Sequence, residues 1–197
     1  MSIKKLIGAS MGRLYKNKYI TLRDGNISFK QKYEPFFYIS AGSVKKNTIN
    51  EDQIVKINFC SKSIWYDNTS LYKPSRELSM HSYIQTNQKF KEKDLFVVHS
   101  HPPNILAYMK LNETKDNRQL NTIIDYFPEL NVASIGKNVP YYEPGSYALA
   151  KKCFDNLIDN YHVGLERHGL MSIGDDVDKI FEDIETLEYY CNIVLKT

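Results

Sequence analysis

The stretch FVVHSHPPN, residues 96–104, decides how this chain is read. Three apolar residues run into His99-Ser100-His101, and two prolines follow at once. An apolar run bounded by breakers is a buried strand. Pro102 and Pro103 cannot donate to a ladder, so the strand ends there. Within it, His99 and His101 project from one face, with Cα atoms roughly 6–7 Å apart, and Ser100 points the other way. Two imidazoles so placed at a strand end can converge on one cation, or can be hydrogen-bonded core histidines. The pair alone leaves both readings open.

A metal site needs a third ligand, because catalytic zinc has three protein ligands and an open position. The chain has five histidines. His168, in RHGLMSIG, is the natural third: Gly169 beside it lets the backbone approach another group. His162, in NYHVG, sits where a helix is expected to end, and His81 lies four residues after Glu77 on a helix, so those two face the same way. Glu77 itself reads as an acid in a first helical turn, favoured by the helix dipole.

Outward from this centre the chain alternates between periods. Residues 3–15 carry Ile3, Leu6, Ile7, Met11 and Leu14 at helical spacing. RDGNISFK is a turn leading into a strand. FFYIS (36–40), QIVKINF (53–59) and SIWY (63–66) are further strands. KPSRELSMHSYIQ is a helix with Ser75 as N-cap, its Leu78, His81, Ile84 and Gln85 sharing one side. PPNILAYMKL is helical from Asn104, QLNTIIDYF (119–127) is a helix, and VASIG is a short strand. SYALAKKCFDNLI is a helix; VGLERHGLMSIG is two short strands or one bent one; DDVDKIFEDIETLEYYCNIVL closes the chain as a striped helix. There is no strict βαβ repeat, so the expected architecture is a mixed or largely antiparallel sheet flanked by helices.

The 197 residues suit one domain, 1–197, and 42% apolar with 25% charged residues is ordinary for a globular protein. The net charge of +3 is small and the lysines are dispersed, which disfavours a nucleic-acid partner. Cys60, Cys153 and Cys191 are odd in number and contain no CxxC, which predicts a reducing compartment. The N-terminal segment lacks the continuous apolar run of a signal peptide, and no run spans a bilayer. A cytoplasmic protein without membrane contact is expected.

GNIS, SAG, PSRE, HSH and RHGL, in this order, resemble the class II aldolase/adducin family over nearly the whole chain. The resemblance implies a three-layer α/β/α fold with a central mixed, mainly antiparallel sheet, assembled as a homotetramer. It implies a divalent metal, generally Zn2+, on His99, His101 and His168, with Glu77 as the acid/base that also contacts the metal when no substrate is bound. It further implies a substrate phosphate held by Gly25, Asn26, Ala41, Gly42, Ser75 and Arg76. Turn glycines and helix N-termini suit that task, because their N–H groups cradle anions. Two positions depart from the pattern: Ala41 stands where a hydroxyl residue is common, and Arg76 replaces a second serine. Ser43 offers a hydroxyl nearby, and Arg76 suits a phosphate or a carboxylate.

The reaction implied is reversible retro-aldol cleavage of a sugar phosphate or related hydroxy-carbonyl compound, with the metal stabilising an enediolate and Glu77 moving the proton. Dehydratase and decarboxylase chemistry belong to the same family. So do 4-epimerases, but these carry Asp at the acid position and Lys before the small-x-Gly turn, where this chain has Glu77, Tyr38 and Ile39. A proton-relay tyrosine is common in the aldolases; Tyr126, Tyr141 and Tyr142 are candidates, but packing in the core or at an interface is the better reading of each. Adducin-like scaffolds share the fold but lack the metal ligands, all of which are present here.

Overall fold

The computed structural model describes residues 1–61, 63–110 and 118–197. In chain order the elements are α1 (Ile3–Lys16), β1 (Asn26–Lys30), β2 (Phe36–Ser40), β3 (Ile54–Cys60), β4 (Ser63–Trp65), α2 (Leu78–Gln85), β5 (Leu95–Ser100), α3 (Pro103–Lys110), α4 (Ile123–Tyr126), α5 (Tyr147–Leu157), β6 (His162–Leu165), β7 (Gly169–Gly174) and α6 (Val177–Lys196). The strands form one sheet in the order β4-β3-β2-β1-β5-β7-β6. All its ladders are antiparallel. Parallel pairing is limited, among the described residues, to two single bridges, Ile135 with His162 and Val139 with Leu165.

Strand β5 is buried along its whole length, flanked by β1 and β7. It is apolar throughout because both of its faces are covered. Phe96 and Val98 pack with Ile7, Met11 and Leu14 of α1, Ile105 of α3 and Phe181 of α6. Leu95 and Val97 pack on the opposite face with Met80 and Ile84 of α2 and Leu149, Cys153 and Leu157 of α5. Three layers result, as expected. By strand alternation His99 continues the face that carries α2. No described helix is long and apolar enough to cross a membrane.

Local chemistry explains most element ends. Ser2 and Ser146 cap α1 and α5 by accepting from Lys5 N and Leu149 N. Pro103 occupies the first position of α3, where its missing N–H costs nothing. The next two amides, of Asn104 and Ile105, are satisfied from another helix: both donate to the Glu188 carboxylate at 2.9 Å. Leu111, the last residue of the expected helix, lies outside the described residues.

Four local expectations are corrected. Ser75 does not cap α2; Glu77 stands at the N-cap, and the Ser75 hydroxyl accepts from Glu77 N within the preceding turn. QLNTIIDYF is a 3-10 turn followed by four α-helical residues, because its apolar residues are anchored by long-range packing instead of an extended stripe. VASIG is not a strand, contributing only the bridge at Ile135. His162 begins β6 and is fully buried, bonded through Nδ1 to the Ser172 hydroxyl (2.9 Å) and through Nε2 to Asp183 Oδ2 (3.0 Å).

The Asp183 carboxylate also accepts from Ala133 N. Burial alone would raise its pKa, but the His162 hydrogen bond and charge hold it below the usual carboxylate range. Its folded value is therefore depressed, so its stabilisation is present above about pH 4 and is lost as pH falls through the folded value. Asp183→Ala is expected to destabilise the fold by about 2–3 kcal/mol in denaturant melts, since it strands a buried imidazole and a backbone amide. Unchanged stability would show this pair to be structurally idle.

Candidate metal centre and acid/base site

The register of the sheet assembles the site. Asn26 of β1 pairs with His99 of β5, and Ser100 pairs with Leu170 of β7. The β6–β7 turn therefore delivers His168 beside the end of β5. Its preceding residue, Arg167, takes a left-handed φ of 59°. The ligand atoms of His99, His101 and His168 all lie within 4.8 Å of one another. His101, just beyond the strand, is fixed by its amide, which donates to Tyr19 O at 2.6 Å.

Gly169 makes this convergence sterically possible. A Cβ there would come 2.5 Å from Ser100 O, 2.6 Å from His101 Cδ2 and 2.9 Å from His99 Cε1. Gly169→Ala must displace either a central strand or the imidazoles. We expect metal affinity to fall roughly tenfold and the fold to lose about 1–3 kcal/mol. Metal titration and thermal unfolding check this; wild-type values for both would show that the site does not depend on close backbone approach here.

Hydrogen bonding fixes how the rings face. His99 Nδ1 donates to the Leu170 carbonyl (3.0 Å), so its Nε2 carries the lone pair. His101 turns Nδ1 towards Asp24 Oδ2 at 3.5 Å. The two Nε2 atoms then face each other at 3.0 Å. A lone pair on each would repel the other unless a cation or proton lay between them. His168 has one nitrogen, Nε2, 2.9 Å from Glu77 Oε1, while its Nδ1 is buried with no hydrogen-bond partner. Burial pushes the His99 pKa down to about 3, despite the Glu77 charge, so its ring is neutral at pH 7. A neutral imidazole is what a metal requires. The donor set thus fits a divalent cation with nitrogen ligands.

Glu77 borders this cluster from the start of α2. Oε1 meets His168, and Oε2 lies 3.3 Å from His99 Nε2 and accepts from Asn26 Nδ2 at 2.7 Å. Burial would raise its pKa, but the hydrogen bonds from His168 and Asn26 outweigh it and hold the carboxyl well below the usual carboxylate range. The carboxyl is ionised at neutral pH, not poised near neutrality as acid/base chemistry in a dry pocket would suggest.

A cleft of about 410 Å3 opens over these groups. Gly25, Asn26, Gly42, Ser75, Arg76, Glu77, His101 and His168 all line it. Gly25 takes φ +73°, and a side chain there would strike Ile20. Ala41 is fully buried beneath the cleft, bridged to Pro74; Gly42 N donates to Lys73 O, which ties the SAG turn to the PSRE segment. Ser43 lines the cleft as well. Tyr126 and Tyr141 are about half exposed and Tyr142 packs with the α2–α5 core; none of the three is among the cleft residues.

Four cleft residues escaped the sequence reading, Arg23, Asp24, Lys46 and Pro144, and two of them are engaged with the site. Asp24 looked like turn chemistry alone, yet it is the carboxylate behind His101. Burial would raise its pKa, but hydrogen bonds from His101 and Thr21 hold it low. The available signal was that a metal-binding histidine usually donates its second N–H to a carboxylate. Lys46, in an apparently solvated KKN, is buried with Nζ on Ala41 O at 2.6 Å. Burial pushes its pKa down to about 8, with Asp24 and Glu77 pulling the other way. Nothing in its local sequence marks it.

Residues 6–195 match the family described as Class II Aldolase and Adducin N-terminal domain. A 5-deoxy-D-ribulose 1-phosphate aldolase from Bacillus thuringiensis serovar kurstaki is 26% identical over 177 residues, 88% of this chain and 75% of that enzyme. A 3-oxo-tetronate 4-phosphate decarboxylase from Haemophilus influenzae is 29% identical over 119 residues. That match spans 59% of this chain and only about half, 53%, of the relative. Among solved structures, a sugar-phosphate aldolase from Thermotoga maritima superposes with a TM-score of 0.77 at 21% identity, covering 98% of this chain and 93% of that one.

Proposed function

This chain belongs to the class II aldolase and adducin family, and from that premise we propose that it is a metal-dependent aldolase. It cleaves a sugar phosphate or similar hydroxy-carbonyl compound reversibly, as one unit over residues 1–197. The observation that carries this reading is the meeting of His99, His101 and His168 with the Glu77 carboxylate at one end of the cleft. A divalent cation on the three imidazoles, zinc in this proposal, supplies Lewis acidity to the substrate oxygens. An adducin-like scaffold would have no use for this convergence.

The chain's own groups do the rest. Glu77, ionised and an acceptor, takes the proton that the substrate carbon loses in condensation and returns it in cleavage. In cleavage the ionised Glu77 first takes the proton of the hydroxyl on the carbon that departs as the aldehyde, the C–C bonding pair moves towards the carbonyl, and Glu77 then returns that proton to the carbon left behind. Asn26 holds the Glu77 carboxylate through Oε2. Gly25, Asn26, Gly42, Ser75 and Arg76, with Ala41 beneath, are proposed to hold the phosphate in the same cleft, where Arg76 offers a two-pronged contact. The assembly is proposed to be a homotetramer, which light scattering on purified protein measures.

A second reading has one observation in its favour. Arg23, Lys46 and Arg76 all line the cleft, which suits a substrate with an anion at each end. A 3-oxo acid phosphate would then lose CO2 where the aldolase substrate loses an aldehyde, by the same movement of electrons. One experiment decides between them. Zinc-loaded protein is offered a panel of phosphorylated and free ketoses together with 3-oxo acid phosphates, and aldehyde and CO2 release are followed separately. Aldehyde release supports the aldolase; CO2 alone replaces it with the decarboxylase; neither product rejects both.

A further inference from the structure

We propose that His81 is a positioning residue for Glu77, acting through Asn26 in a fixed, one-directional chain of buried hydrogen bonds. This rests on the reading of Glu77 as the proton-transfer group. Each link has only one allowed polarity. The Glu77 carboxylate can only accept, so Asn26 must turn its NH2 towards Oε2 (2.7 Å). Asn26 Oδ1 is then left facing His81 Nε2, which must carry the ring proton and donate it. His81 Nδ1 is therefore an acceptor, and the Ser28 hydroxyl, 2.7 Å away, must donate to it. The Ser28 oxygen in turn accepts from Gln85 Nε2 at 2.9 Å, and the same NH2 donates to Leu95 O at 3.1 Å.

The chain thus runs from the backbone of β5 through α2 and β1 to the carboxylate. His81 and Ser28 are fully excluded from water, and Asn26 and Gln85 nearly so. With no solvent to exchange partners, the amide plane of Asn26 has one orientation. The orientation of the carboxylate follows from it. The arrangement also answers why a histidine sits one helical turn after Glu77: its side chain leaves α2 in the same direction and meets β1 beneath the acid. Burial keeps this ring neutral, pushing its pKa down to about 4 against the pull of Glu77, and a neutral ring is required if Nδ1 is to accept.

Three substitutions test it. His81→Phe removes both links. His81→Gln restores an NH2 that reaches Asn26 and an oxygen that faces Ser28. Ser28→Ala removes the donor to Nδ1 together with the acceptor of Gln85 Nε2, leaves the His81 ring and its link to Asn26 in place, and stands in if His81→Phe does not fold. In 15N-labelled wild-type protein the His81 ring should show protonated Nε2 and bare Nδ1 from about pH 6 to 8. Ser28→Ala should shift both nitrogens. A ring protonated on Nδ1, or on both nitrogens, overturns the proposal, and this result needs no substrate.

With 5-deoxy-D-ribulose 1-phosphate as the probe, His81→Phe should keep its metal and its KM while kcat falls about 10–100-fold. His81→Gln should recover most of that loss. In crystals of His81→Phe the Asn26 amide and Glu77 carboxylate should leave their present positions, and in His81→Gln they should stay. If His81→Phe matches wild type while Glu77→Gln is inactive, the positioning role is wrong and Glu77 keeps its assignment. If Glu77→Gln is itself fully active, the underlying reading has failed instead.

Discussion

His168→Ala is expected to purify with less than about one metal ion per ten chains, with affinity weakened roughly 100-fold or more. His99→Ala should behave alike. The proposed donor set holds no spare imidazole. His81 is committed to Asn26 and Ser28, and His162 to Ser172 and Asp183, so among the described residues neither can substitute. A cation left with two imidazoles and Glu77 would also pull the acid out of its proton-transfer role. Elemental analysis after a chelator-free preparation reads the outcome. Unfolding offers an independent check, because a ligand that binds only the native state raises Tm in proportion to ln(1 + [L]/Kd). Chelator should lower the Tm of the wild type and leave that of His168→Ala unchanged. A variant that retained full metal would show that the three rings meet for another reason.

Glu77→Gln should separate the metal from the chemistry. The amide has nearly the same shape, can still offer an oxygen to Asn26, and leaves all three imidazoles untouched. Metal content should therefore match wild type. Turnover of the substrate found by the panel should fall about 10^2–10^4-fold, the range for losing a positioned general base. KM should change little, since the carboxylate lies at the cluster and the basic residues that would hold the phosphate are intact. Full activity in this variant would remove Glu77 from the mechanism.

The readings that held were those governed by neighbouring residues. The stop imposed by Pro102-Pro103, the stripes of α1 and α6 and the FFYIS strand needed nothing distant, and the elements stand where those patterns put them, whereas His101, one residue past β5, is held by the Tyr19 carbonyl. The readings that failed involved competition for a partner. Ser75 had the composition of an N-cap, but Glu77 took that position once the SAG turn had tied Pro74 and Lys73 in place. Asp24 and Lys46 look like solvated loop residues because the groups that engage them, the His101 ring for Asp24 and the buried Ala41 carbonyl for Lys46, reach them only in the folded chain. His162 was misplaced because β6 is defined by its pairing to β7, and its hydrogen-bond partners come from β7 and α6.

By itself the sequence determined which side chains were available to do chemistry: two imidazoles on one strand face, a third behind a glycine, an acid at the entry to a helix, and glycines where the chain must turn. Tertiary structure alone decided that they share one site and how each ring is turned. Strand register set Asn26 against His99 and brought His168 to the end of β5, and the packing of α2 on that same face brought Glu77 to meet them. Register and packing are fixed by contacts between residues far apart in the chain. No local pattern encodes which nitrogen of a buried histidine must hold its proton.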